Sequence, residues 1–504
     1  MSRQPSRRQV IGAGAAALAG GVALAAAPAD AHPETRVKKW DHDYDIVVIG
    51  LGVAGGSAAL EAARAGARVL VLDRGSAAIN EGHGSSVYLG GGTPVQKAYK
   101  VEDSAEEMEK FILASQSPEP DRERIRIFVE RSLPHFQWLL DLGVQFSPDP
   151  ADKCLIYSGG EDVWPCTEMA KPAMRGHRHK GGATGKAIQR LLTEHLRQAG
   201  VPLQLAADCQ RLVQGNDGRV QGVIAEIDGK AQSIRARRGV ILATGGFAQN
   251  RDMLKQHAPL YLNGTPIDVG SNDGWGIRAG QSIGAAVKRM EGVSCFFAPD
   301  LPESRVSGIL VNRFGQRFIA EESYYGIVGY RIVREQDGVA FQIVDADMLG
   351  KRPEIKIAGA PLPHMEEVAA RANSIAELEK LLHMPETGLQ RQVQAYNEFA
   401  AKGQDPFFHK QAKYLKAIAK PPFTALKASI GEAPFSFFTV GGLQTNVKTE
   451  VLDLDGTPIP GFHAVGRTAA GILNYPYYVS GLSLGEGTMF GRVAGQLVAS
   501  TKPA

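Results

Sequence analysis

The strongest apolar run near the start of the chain is Ile46-Val47-Val48-Ile49, preceded by Asp45, continuous rather than alternating and so patterned as a strand buried on both faces. Gly50-Leu51-Gly52-Val53-Ala54-Gly55 follows at once, Ser57 to Ala65 reads as a helix, and Arg68-Val69-Leu70-Val71-Leu72 reads as a second buried strand ending at Asp73. Two later runs repeat the pattern. Val240-Ile241-Leu242-Ala243-Thr244-Gly245-Gly246-Phe247 is a buried strand ending in glycines. Gly461-Phe462-His463-Ala464-Val465-Gly466-Arg467 reads as a last strand, with Ser480 to Gly487 opening a helix. Buried strands alternating with helices predict an α/β chain with a parallel sheet. From about residue 287 to 437 that rhythm breaks. Pro299, Pro302 and Gly308 interrupt it, and helical patterns are expected over Met365–Leu382 and Thr387–Lys402.

Strand, glycines, helix, strand and acid in that order form a Rossmann-like dinucleotide fingerprint. Gly50 makes the tight turn, Gly52 lets the backbone approach a pyrophosphate, and Gly55 allows close packing of helix on strand. The phosphates would rest on the helix N-terminus at Val53 and Ala54, where N–H groups and the helix dipole favour negative charge. Asp73, 18 residues beyond Gly55, is placed to bond the ribose hydroxyls, with Arg74 beside it. A nicotinamide domain is normally contiguous. Here cofactor-like segments come from both ends of the chain, which favours FAD.

The 504 residues predict two domains plus a targeting segment. Arg3, Arg7 and Arg8 against Asp30 account for +2 of a formal net charge of +3. The remaining +1 gives no reason to expect nucleic acid or an anionic membrane as partner. Paired arginines precede an Ala/Gly-rich apolar run, Gly12 to Ala27, and then Ala29-Asp30-Ala31, a cleavage pattern. This resembles a twin-arginine signal, so residues 1–31 are expected to direct export of the folded protein to the periplasm. No later stretch reads as a membrane span. Cys154, Cys166, Cys209 and Cys295 form no CxxC or CxxCH, which argues against a haem or iron–sulfur cluster, and no metal site is expected. Cys154 and Cys166 are a possible disulfide after export, although free buried cysteines are common.

Further segments carry a resemblance: Tyr88-Leu89-Gly90-Gly91-Gly92-Thr93, the Ala243-Thr244-Gly245-Gly246-Phe247 run, Asn272-Asp273-Gly274, Arg317-Phe318-Ile319-Ala320-Glu321, and Tyr478-Val479-Ser480-Gly481-Leu482-Ser483-Leu484-Gly485. Together they resemble the fumarate reductase/succinate dehydrogenase flavoprotein superfamily, and within it the 3-ketosteroid dehydrogenase branch, especially the enzymes acting on the 4,5 bond. The resemblance implies a split FAD domain, residues 32–286 and 438–504, with an inserted α+β substrate-capping domain over 287–437. It also implies non-covalent FAD, since the histidine that carries flavin in some relatives aligns near Ala78, with His83 close by. Gly91, Gly92, Thr93, Thr244, Gly245, Asp273, Ser483 and Leu484 are then expected to join the fingerprint residues at the cofactor.

The substrate is read from what is missing. Fumarate reductases of this superfamily hold a dicarboxylate with a histidine and arginines in three motifs. At those places this chain has Phe437-Phe438-Thr439, Glu321-Glu322-Ser323-Tyr324-Tyr325 and Tyr478-Val479-Ser480-Gly481. A pocket without those cations would pay heavily to desolvate a carboxylate, whereas it suits a flat apolar ketone. The ketosteroid branch implies Tyr478 and Ser480 as a proton-transfer pair beside Gly481, with Tyr324 or Tyr325 as a second phenol. Three readings stay open: a dehydrogenase or reverse enone reductase for an apolar ketone, a reductase of a small enoate, and a flavin electron carrier without its own substrate. With no haem or cluster in the chain, electrons must pass to or from a quinone or a separate redox protein.

Overall fold

A computed structural model describes residues 37, 39–76, 84–116, 118–267, 272–297, 303–350, 356–357, 360–361, 367–476 and 478–503. The expected export segment, Ala78 and His83 lie outside the described residues. The architecture is the α/β fold with a parallel sheet that the apolar runs predict. Four of its parallel strands are those runs, in spatial order Pro458–Ala464, Lys230–Leu242, His42–Ile49 and Val69–Leu72, and Leu203–Gln204 adds a fifth. Their register places Ile49 beside both Leu72 and Leu242, and Leu242 beside Ala464, so the strands end together at one edge. Ligands bind outside that carboxyl edge in open α/β sheets. Glu450–Leu452 extends the sheet antiparallel, and a hairpin of Asp208–Gln214 and Val220–Ile227 pairs with the long strand Lys230–Leu242.

The helix Val53–Arg64 follows the first strand, and the C-terminal helix Leu482–Ser500 lies against it. Glycine permits that approach. A Cβ on Gly491 would stand 2.3 Å from the Ala54 oxygen, and one on Gly495 would stand 2.2 Å from the Ala58 oxygen. The helix of the glycine fingerprint and the helix near the C-terminus are thereby joined over the central strands of the sheet.

Within 287–437 a four-stranded antiparallel sheet runs in the order Ile309–Asn312, Ala340–Val344, Phe423–Lys427, Val368–Ala372, with its own apolar core. The expected helix over Met365–Leu382 is corrected here. Val368–Ala372 is a strand paired to Phe423–Lys427, and the helix begins only at Ile375, where the Ser374 hydroxyl accepts the Glu377 N–H at 3.1 Å. Pairing with a distant strand overrides the local helical pattern. A third sheet, Thr265–Pro266, Phe435–Thr439 and Val293–Phe297, draws strands from both sides of residue 287.

The Arg317–Glu321 motif is the centre of a buried ion network. Arg317 donates to Glu321 at 2.8 Å and to Asp405 at 2.7 Å, and Lys410 reaches Glu321 at 2.9 Å. Burial alone would raise the Glu321 carboxyl, but Arg317 and Lys410 hold it below the usual carboxylate value. The next residue, Glu322, accepts the Gln411 N–H at 2.6 Å. The segment leading into Tyr324 and Tyr325 is therefore anchored by charge on the segment 405–411.

Candidate active site

A cleft opens at the carboxyl edge of the parallel strands, between the two helices just described, with about 1160 Å³ of empty space that is partly open to solvent. Its lining joins the expected residues Gly50, Gly52, Val53, Ala54, Asp73, Arg74, Thr244, Gly245, Asp273, Ser483 and Leu484, which come from five separate stretches of chain. The three fingerprint glycines occupy different environments. Gly50 has φ +107°, and a Cβ there would stand 2.3 Å from the Ala243 oxygen. A Cβ on Gly55 would stand 1.9 Å from the Gly50 oxygen, so Gly55 packs behind the cleft and is not in its lining. At Gly52 a Cβ would meet no atom within 4 Å, because it would project into the cleft.

Both helices present bare N-termini to this space. Gly52 and Gly481 are the N-caps and neither offers a side-chain cap. The first i→i−4 bonds are Gly56 N–H to Gly52 and Gly485 N–H to Gly481, so the N–H groups of the first turns precede the helical ladder. Two positive helix ends facing one cleft suit an anionic ligand with two separate electron-rich groups. Asp73 braces the glycine loop, accepting the Leu51 N–H at 2.6 Å and the Gly75 N–H at 2.7 Å, while still lining the cleft. Arg74 pairs with Asp273 at 2.9 Å and ties two walls together.

The two phenol-bearing segments pack against one apolar core. Gly481 has φ +85°, and its C=O accepts the Tyr88 N–H at 3.1 Å. The Ser480 N–H donates to the Ser158 oxygen at 3.1 Å. The Tyr324 and Tyr325 rings lie 4.0 Å apart, Tyr325 meets Phe296 edge-on at 5.4 Å, and Phe296 meets Phe438 at 5.6 Å. Arg467, which lines the cleft, covers Phe438 at 5.0 Å. An aromatic wall thus runs from the cleft to the two tyrosines.

Residues 45–484 match the FAD binding domain family. The chain belongs to this family. It is 38% identical to the 3-ketosteroid-delta4-(5alpha)-dehydrogenase of Rhodococcus jostii RHA1, whose structure in complex with 4-androstene-3,17-dione superposes with a TM-score of 0.83 over 93% of this chain and 99% of that one. It is 28% identical to the vinyl phenol reductase of Lactiplantibacillus plantarum over 90% of this chain and 96% of that protein. It is 27% identical to the 3-oxo-5-alpha-steroid 4-dehydrogenase of Comamonas testosteroni over 85% and 93%. The protein is an FAD-dependent oxidoreductase acting on CH–CH bonds.

The cleft fits FAD. The open space at Gly52 and the bare helix end at Val53 and Ala54 would take the pyrophosphate. The second bare end, at Ser483 and Leu484, would face the electron-rich edge of the flavin ring. Gly91, Gly92 and Thr93 stand apart from the lining. The Gly91 N–H is spent on Asp103 at 2.9 Å, and the Gly92 and Thr93 N–H groups are spent on Gln96 at 3.0 and 2.9 Å. Thr93 also caps the helix Pro94–Ala98. The acidic stretch Glu102-Asp103-Ser104-Ala105-Glu106-Glu107 reads from sequence as a solvated, capped helix start, yet the Asp103 side chain is fully buried and paired with Arg175 at 2.6 Å.

Sequence reasoning did not nominate Gln189, Ala207–Cys209, Asn272, Trp275 or Arg467, which also line the cleft. Arg467 follows a glycine at the end of a buried strand, the same signal that marks Gly50, and could have been found that way. Ala207–Cys209 carries no comparable signal. All four cysteines are free and buried. No group of metal-ligating side chains is found, and no helix is long and apolar enough to cross a membrane, among the described residues.

Tyr478 is half-buried, and burial pushes its phenol up to about 12, with the nearby Cys166 adding to the rise and Arg331 opposing it. At neutral pH it is therefore a hydrogen-bond donor rather than a phenolate. Arg331, the cation whose field reaches Tyr478, donates to the Phe318 oxygen at 3.1 Å and lies 3.9 Å from Glu335.

Proposed function

We propose that the enzyme dehydrogenates, or in reverse saturates, the bond next to the ketone of an apolar, steroid-like substrate. The observation that carries this reading is the aromatic wall of Tyr324, Tyr325, Phe296 and Phe438, which runs from the cleft to the phenols where a dicarboxylate site needs cations. Such a wall gains by burying a flat apolar molecule and gives nothing to a carboxylate. FAD, when bound, supplies the hydride acceptor or donor. Tyr478, kept neutral by burial, donates its O–H to the ketone oxygen and stabilises the charge that develops there as the neighbouring C–H bond breaks. The proton leaving carbon passes through the Ser480 hydroxyl, which gives up its own proton as it accepts, to the second phenol, Tyr324 or Tyr325, reacting as its phenolate, and it returns by the same route in the reverse direction.

The arginine pair and cleavage pattern near the N-terminus support export by the twin-arginine route to the periplasm. Electrons then pass to or from a quinone or a separate redox protein. Anaerobic spectra of the purified flavoprotein test the chemistry. A saturated 3-ketosteroid should bleach the flavin. If steroids leave the spectrum unchanged while fumarate reoxidises chemically reduced enzyme, the substrate is a small enoate and the apolar-ketone reading is wrong.

A further inference from the structure

Beneath the two phenol-bearing segments lies a buried turn that touches both of them. Its first residue, Ser158, accepts the Ser480 N–H through its C=O at 3.1 Å. Its second, Gly159, has no room for a side chain, since a Cβ there would stand 1.4 Å from the backbone carbonyl oxygen of Tyr478. Its third, Gly160, has φ +70°, and a Cβ there would stand 3.3 Å from the Tyr324 Cβ. Three consecutive residues thus act as a spacer between Tyr478–Ser480 on one side and Tyr324 on the other.

The fourth residue, Glu161, holds the turn in shape. Its Oε2 accepts the Ser158 N–H at 2.8 Å and the Gly159 N–H at 2.9 Å. Glu161 is only 1% exposed. Its Oε1 is buried without a hydrogen-bond partner among the described residues, in the field of Arg175, which is itself committed to Asp103. A turn on a protein surface achieves the same two bonds with a solvated Asp or Ser. Burying a carboxylate with one oxygen unpaired costs free energy that an ordinary turn does not require. Burial accordingly pushes the Glu161 carboxyl up to about 7. On the far side the Cys166 thiol contacts the Gly159 oxygen at 3.7 Å, so the turn is gripped from two directions.

We propose that Glu161 is a positioning residue of the active centre, fixing through the Ser158–Gly160 turn the separation between the Tyr478–Ser480 strip and Tyr324. The functional importance of that separation rests on the reading of Tyr478 and Tyr324 given above; the mechanical role of Glu161 does not. The two are tested together on the FAD-loaded enzyme. E161M keeps the volume and removes the acceptor, E161A removes both, and E161Q keeps an acceptor oxygen for the two N–H groups. Flavin content and thermal midpoint are recorded for each variant. The rate of flavin reduction by a saturated 3-ketosteroid and the steroid Kd are then measured. The 19F spectrum of 3-fluorotyrosine placed at position 478 completes the set.

E161M is expected to keep its flavin, to reduce it about 100-fold more slowly, as a displacement of about 1 Å implies, and to show a shifted or broadened 19F line. E161Q should restore the rate to within about threefold of wild type, because geometry and not charge is what Glu161 supplies. Should E161M not fold, E161A is read instead, since its smaller side chain removes the acceptor without crowding the turn. An unchanged 19F line and rate in the acceptor-less variant would overturn the proposal. So would an E161Q enzyme as slow as E161M. A wild-type enzyme inert to every ketosteroid sinks the substrate reading alone, and the 19F line then still decides the role of Glu161.

Discussion

Gly52 and Gly55 sit three residues apart in one motif, and alanine should act on them in opposite ways. Gly52 has φ −73° and ψ −178°, an extended conformation that alanine adopts without strain, and its Cβ would meet nothing within 4 Å. Gly52→Ala should therefore leave the FAD-free protein as stable as wild type, or more stable by about 0.4–1 kcal/mol through the lower entropy of the unfolded chain. The added methyl projects into the cleft at the mouth of the first helix, where the pyrophosphate must approach the backbone. Losing one charge-assisted bond of about 1.5–3 kcal/mol predicts FAD binding weaker by about 10- to 150-fold. At Gly55 the Cβ would stand 1.9 Å from the Gly50 oxygen and 3.0 Å from the Ala243 Cβ, both parts of the protein's own frame. The helix must retreat by about 1 Å, so Gly55→Ala should cost about 1–3 kcal/mol of stability before any ligand is considered. Urea unfolding of FAD-free protein and flavin-fluorescence titration separate the two effects. Wild-type FAD affinity in Gly52→Ala would refute the placement of the pyrophosphate.

Tyr478→Phe should retain FAD but slow flavin reduction by a saturated 3-ketosteroid by about 100- to 1,000-fold, the usual loss for one donor to a developing oxyanion; stopped-flow absorbance reads it. Arg317→Met leaves Glu321 and Asp405 buried without their shared partner and should cost about 3–5 kcal/mol in urea unfolding, with Tyr324 loosened in consequence. His463 is buried, and this pushes its imidazole down to about 4 from an ordinary 6.5. The unfolded chain then binds the proton first, so this histidine costs stability as pH falls from about 6.5 to 4, on the order of 1 kcal/mol per pH unit. His463→Gln should show a shallower loss than wild type between pH 7 and 5; equal slopes would refute it.

The dinucleotide site was legible because its parts are local. A strand buried on both faces must be an unbroken apolar run, and the turn at Gly50 needs a residue without a Cβ at φ +107°. Neighbours far apart in the chain were not legible. Val368–Ala372 reads as helix until Phe423–Lys427 pairs with it. Asp103 reads as solvated until Arg175, 72 residues on, buries it. The N–H groups of Gly91–Thr93 are allotted to Asp103 and Gln96 only once the loop folds. Glu161 has no motif at all, and its place beneath Tyr478 and Tyr324 exists only once three distant segments converge. By itself the sequence determined the parallel α/β core and the FAD fingerprint, because each is written in steric and hydrophobic rules acting over a few residues. Tertiary structure alone decided which polar groups were spent on the protein and which still faced the ligand, because a hydrogen bond is allotted by distance in space and not along the chain.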